Sequence, residues 1–135
     1  LVVIPLAESL TGAGQDLSAL AFVRGDVLAL IAMLAIAWVF AAFGEELLFR
    51  GVLLNRIADV FGGGRVALGV GAIGSSVAFG VSHAYQGATG MITTSLIGLL
   101  LALTYLRWRR SLWLVIAMHG LLDTVSLTAL YSGLI

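Results

Sequence analysis

Apolar residues run along this chain in blocks too long for the core of a soluble domain, with short polar interruptions between them. Val27 to Gly44 carries no charge. Val66 to Leu106 contains no Asp, Glu, Lys or Arg, and His83 is its one residue that titrates near neutrality. Ser111 to Ile135 is interrupted only by His119 and Asp123. A membrane-crossing helix needs roughly 20 predominantly apolar residues at a rise of about 1.5 Å each. The middle block is therefore long enough for two crossings, with a break near "HAYQGATG" (83–90). The pattern predicts four transmembrane helices, at 36–57, 66–83, 88–106 and 112–132. Residues 1–26 hold Pro5, Gly12, Gly14 and three acids. They read as the end of a preceding span plus a loop, with a short surface helix at 16–23, while 27–135 form the membrane-embedded core.

Composition agrees. Of 135 residues, 61% are hydrophobic and only 10% charged, where soluble domains carry about a quarter charged residues. The expected fold is an all-α, polytopic transmembrane bundle. The chain has no cysteine, which excludes disulfides, thiolate metal sites and a cysteine nucleophile. Net charge is zero and all seven basic residues are arginines, with no run that suggests nucleic acid. "RWRR" (107–110) follows an apolar block and reads as a membrane-flanking anchor. Trp108, Trp113, Tyr105 and Tyr131 read as interfacial belt residues. If "RWRR" is cytoplasmic, alternation of four helices also puts Arg56 and Arg65 inside, as the positive-inside rule requires. Glycines 62–64 read as a turn, because the Lys-Ser/Thr that completes a phosphate loop is missing.

Six ionisable residues remain at membrane depth: Glu45, Glu46, Arg50, His83, His119 and Asp123. Such groups are costly in lipid and face a bundle interior or a water-filled cavity. Glu46 and Arg50 are spaced i,i+4, so they share a helix face and neutralise each other. Glu45 lies on a neighbouring face with no partner nearby in sequence, as suits a general base. His119 and Asp123 form a second i,i+4 pair, in which Asp123 can orient the imidazole or stand beside it. Phe79 puts an aromatic ring one turn before His83. Two chemistries fit the set. Glu45, His83 and His119 could bind a zinc ion, or Glu45 and His83 could activate a water directly while His119 and its neighbour support an oxyanion. Both lead to hydrolysis of an acyl bond. A non-catalytic membrane scaffold or immunity protein, using the polar residues as helix glue, is the competing reading. One strain stands out. Counted from the flanking arginine or serine, Glu45 and His119 lie about 16 and 12 Å deep, but His83 about 27 Å. Its helix must start late or tilt.

"EELLFRG" (45–51) matches an EExxxR motif, "FGVSH" (79–83) matches FxxxH, and "HGLLD" (119–123) matches Hxxx(N/D). In that order, on successive apolar helices, they resemble the CPBP family of CAAX prenyl endopeptidases and bacteriocin-processing (Abi) proteins, over about residues 36–130. The resemblance implies an intramembrane endopeptidase with Glu45 as base and His83 sharing the attacking water. His119 and Asp123 would stabilise the oxyanion, with Glu46, Arg50 and Phe79 in support. Metal-dependent and metal-free mechanisms are both argued for that family; no cofactor is favoured here, and zinc stays open. Asp123 stands where asparagine is common, and an ionised aspartate cannot donate to an oxyanion. The implied partners are membrane lipid and a peptide or protein substrate, possibly with a prenylated C-terminus. The expected location is a prokaryotic cytoplasmic membrane.

Overall fold

The computed structural model describes residues 3–135. Among them 84% are helical and there are no strands. A nine-residue helix, α1 (Val3–Thr11), precedes a 3-10 helix at Ser18–Val23. Four long apolar helices follow: α2 (Val27–Val60), α3 (Gly64–Ser82), α4 (Gly87–Arg107) and α5 (Leu112–Tyr131). A single 3-10 turn, Ala84–Gln86, leads into α4. Each of the four is long and apolar enough to cross a bilayer. Large apolar side chains such as Phe40, Val66 and Val125 are exposed on their outer faces, where lipid is the solvent. The chain is thus an all-α, polytopic membrane bundle.

Three of the four spans fall within two residues of the predicted ends. The first begins at Val27 rather than 36 and ends at Val60 rather than 57. Asp26 sets its start: the carboxylate accepts from Leu28 N at 2.9 Å and Ala29 N at 3.0 Å, satisfying two of the helix's free amides. Nothing between 27 and 44 interrupts the winding. At 34 residues, α2 would be about 51 Å long if wound as an α-helix throughout. Its middle is wider than that. Ala37–Glu45 and Leu47–Leu53 are π-helical, and Leu54 N–H reaches back five residues to the Phe49 carbonyl. Such widening recurs at functional sites. The expected surface helix at 16–23 is the 3-10 helix at 18–23. Residues 3–11, expected as the end of a preceding span, form α1, about 13 Å of helix.

Two turns lie at one end of the bundle. Residues 61–64 turn through consecutive left-handed glycines, Gly62, Gly63 and Gly64, with φ of 83°, 70° and 81°. Only glycine takes that conformation without steric cost. The turn between α4 and α5 does it with arginines: Arg109 and Arg110 have φ of 52° and 57°. Arg110 is held there by its amide on the Tyr105 carbonyl, 2.8 Å, and its guanidinium on Asn55 Oδ1, 3.3 Å. The second bond ties this turn to the C-terminal part of α2, which leads into the glycine turn. Tyr105 is therefore no belt residue. It is buried, in a core cluster with Leu54, Ala72, Leu101, Ala102 and Val115, and its hydroxyl accepts from Asn55 at 3.4 Å.

Lipid tails are as apolar as leucine, so helices in a membrane cohere by close backbone approach and polar contacts. Glycine makes the approach possible here. A Cβ on Gly71 of α3 would collide with the Leu54 carbonyl of α2. One on Gly98 of α4 would lie 2.9 Å from the Phe79 ring of α3. One on Gly120 of α5 would lie 2.7 Å from the Trp38 ring of α2. At the opposite end the N-terminal segment docks on α4 through Thr11 and Thr89, 2.6 Å, and Gln15 and Gln86, 2.8 Å.

Candidate active site

The buried ion pair is the anchor. Arg50 Nη1 lies 2.8 Å from Glu46 Oε1, and both side chains are fully buried. Arg50 Nη2 donates to the Gly98 carbonyl at 2.8 Å, and its guanidinium covers the Phe79 ring at 4.7 Å. Gly98 permits this because a Cβ there would come 3.2 Å from Nη2. One buried arginine thus joins α2, α3 and α4.

The pair is not closed on itself. Glu46 Oε1 also meets His119 Nδ1 of α5 at 2.8 Å. Arginine stays charged and Glu46 is its counter-ion, so Nδ1 is the donor. It is Glu46, from another helix, that orients His119, and not Asp123. The other ring nitrogen, Nε2, faces Asp123 Oδ2 at 3.5 Å and Glu45 Oε2 at 3.9 Å. Every group at the two nitrogens is a carboxylate.

His83 sits at the C-cap of α3. Its Nδ1 lies 2.8 Å from the Phe79 carbonyl, which can only accept, so the proton is on Nδ1 and Nε2 is free. Its ring packs on Phe79 at 4.7 Å, and the His119 ring packs on the same Phe79 edge-to-face at 5.8 Å. Phe79, expected as a wall, is the divider on which both imidazoles rest. The depth mismatch shrinks for two reasons. α2 runs on to Val60, so Glu45 is about 22 Å from its end. The His83 ring also turns back along its own helix. A late start of α3 is not the explanation, since it begins at Gly64.

All the candidates therefore converge: Glu45, Glu46, His119 and Asp123 directly, and His83 through Phe79. Glu45 and Asp123 keep 30% of their side-chain surface exposed, whereas Glu46 and Arg50 keep none. Three contributors carried no signal in the sequence. The Gly98 carbonyl lies among many small residues of α4. Trp38 and Thr124 meet only once α2 and α5 are packed.

Residues 27–125 match the family model described as type II CAAX prenyl endopeptidase Rce1-like. The chain belongs to this Rce1-like family. The family is one of CAAX-protease-type intramembrane endopeptidases, and with its four apolar helices the chain is an integral membrane protein. No curated protein and no solved structure matches it. The three motifs lie inside the matched segment. A zinc ion held by Glu45, His83 and His119 of the Rce1-like core would need donors about 2.0–2.2 Å from one point. Among the described residues no three His, Asp or Glu side chains are grouped in that way.

Proposed function

We propose that this Rce1-like chain hydrolyses peptide bonds at the membrane with a water activated by Glu45. The observation that carries the reading is the state of that carboxylate. Glu45 Oε2 is buried without a hydrogen-bond partner, although the side chain as a whole is part-exposed and faces His119. A scaffold would gain most from a sealed, fully paired cluster, because each buried unsatisfied polar atom costs stability. Among the described residues this cluster leaves Glu45 Oε2, Glu46 Oε2 and Arg50 Nε without hydrogen-bond partners.

In the proposed step Glu45 removes a proton from water, whose second proton is held by the free Nε2 of His83. The oxygen attacks the scissile carbonyl carbon, and the carbonyl electron pair moves onto oxygen. His119, protonated on both nitrogens among three carboxylates, donates Nε2–H to that oxyanion. The C–N bond then breaks and the leaving amine takes the proton from Glu45. Asp123 acts on His119 here, as the counter-charge that keeps the ring protonated, and not on the substrate. That resolves how an aspartate serves where an amide would donate directly. The family description points to peptides with a prenylated C-terminus as the substrate class.

The test is proteolysis of a quenched-fluorescence peptide ending in a farnesylated CAAX sequence, with the protein in phospholipid vesicles. Glu45→Gln is expected to lower kcat by about 10²–10⁴-fold, the usual worth of a general base. His83→Ala and His119→Ala should also be severely impaired. Equal turnover in all variants would remove the catalytic assignment. Loss of activity to a chelator, restored by zinc, would overturn the metal-free step.

A further inference from the structure

His119 and Asp123 reach the cluster only if α5 holds one rotation about its axis. On an α-helix a single residue of slippage turns a side chain by about 100°. Two contacts with α2 flank His119. On one side Leu112 packs where a Cβ on Gly51 would be, at 3.5 Å. On the other side the Trp38 ring lies flat enough on Gly120 that a Cβ there would touch three of its atoms within 2.8 Å. Gly120 is the residue next to His119. Trp38 Nε1 also donates to Thr124 Oγ1 at 3.1 Å, and Thr124 is next to Asp123. The Thr124 hydroxyl spends its own proton on the Gly120 carbonyl, 2.6 Å, so its lone pair is turned to the indole. Trp38 stands seven residues before Glu45 on the same helix, α2. An indole N–H left unpaired in an apolar medium is costly, which makes the register of α5 that satisfies it the favoured one.

From this juxtaposition we infer that Trp38, through Gly120 and Thr124, is a positioning residue that fixes the rotation of α5 and so aims His119 and Asp123 at Glu45. This rests on the catalytic reading of the cluster. Neither Trp38 nor Thr124 touches a reacting group. Their contribution is orientation, where a displacement on the order of 1 Å costs about 100-fold in rate.

The experiment compares Thr124→Val, Thr124→Ser, Trp38→Phe and the double variant Trp38→Phe/Thr124→Val, in phospholipid vesicles with the farnesylated peptide above. Thr124→Val keeps the side-chain shape and removes the acceptor; Thr124→Ser keeps the acceptor. Both are mild enough to fold, which thermal unfolding in detergent checks independently. The expected result is a fall in kcat of about tenfold for Thr124→Val and for Trp38→Phe, with KM within about twofold, short of the roughly 100-fold that a full 1 Å misplacement costs. Thr124→Ser should keep near-parental kcat. The double variant should lose no more than the worse single one, because both remove the same bond. Parental kcat in Thr124→Val and Trp38→Phe, alongside an inactive Glu45→Gln, would overturn this inference and leave the catalytic reading standing. Parental kcat in Glu45→Gln would overturn both.

Discussion

Removing Arg50 isolates a carboxylate in the middle of the bundle. Arg50→Met keeps an unbranched side chain of similar reach but deletes the charge, the 2.8 Å bond to Glu46 and the 2.8 Å bond to the Gly98 carbonyl. Glu46 is then left fully buried with His119, at 2.8 Å, as its remaining partner. Breaking a buried ion pair by removing one member typically costs about 3–5 kcal/mol, because the other charge is left under-compensated. Arg50→Met/Glu46→Gln removes both charges of the pair, so it should be more stable than Arg50→Met by about 1–3 kcal/mol. Thermal unfolding in non-ionic detergent reads both variants out against the parent. No loss in Arg50→Met, or a double variant no more stable than the single one, would refute the view that Arg50 exists to neutralise Glu46.

Three further outcomes are expected. Gly71→Ala drives a methyl group into the Leu54 carbonyl and should cost about 1–3 kcal/mol by overpacking. Gly69→Ala, with open space around it, should be neutral or stabilising by up to about 1 kcal/mol; the pair is compared by thermal unfolding. Asp26→Ala removes the cap of α2 and should cost about 1 kcal/mol, with faster amide exchange confined to the first turn near Leu28 and Ala29. Glu46→Gln should lower both stability and kcat, since a neutral amide leaves Arg50 and His119 without their shared counter-ion; parental kcat in that variant would argue against the His119 step.

Much of the fold was legible because its signal is local. Long uncharged blocks and the arginines between them locate the spans, and only the first missed by more than a few residues. There the eye needs a boundary, and Asp26, a capping acceptor at the edge of an uncharged run, was the available one. The π-helical stretch of α2 left no trace, since widening a turn changes hydrogen bonding and not the apolar pattern. Within the site, the i,i+4 rule found Glu46–Arg50 and the proximity of Asp123 to His119. It could not find the bond that matters more to His119. That bond joins residues 73 positions apart and exists only because Gly98 and Gly120 let helices come close. Tyr105 shows the same limit: an aromatic near a span's end looks interfacial until a neighbouring asparagine is seen to bury it.

The glycine seams bear on how this protein responds to temperature. Soluble domains owe their curved stability profile to apolar surface exposed to water on unfolding, with a heat-capacity change of about 12–15 cal/mol/K per residue. Helices that come apart inside a bilayer trade backbone contact at Gly71, Gly98 and Gly120 for contact with lipid tails, and little new surface meets water. The heat-capacity change for separating these helices should therefore be small. Their association would then weaken almost linearly on warming, without the low-temperature maximum that leads soluble folds toward cold denaturation.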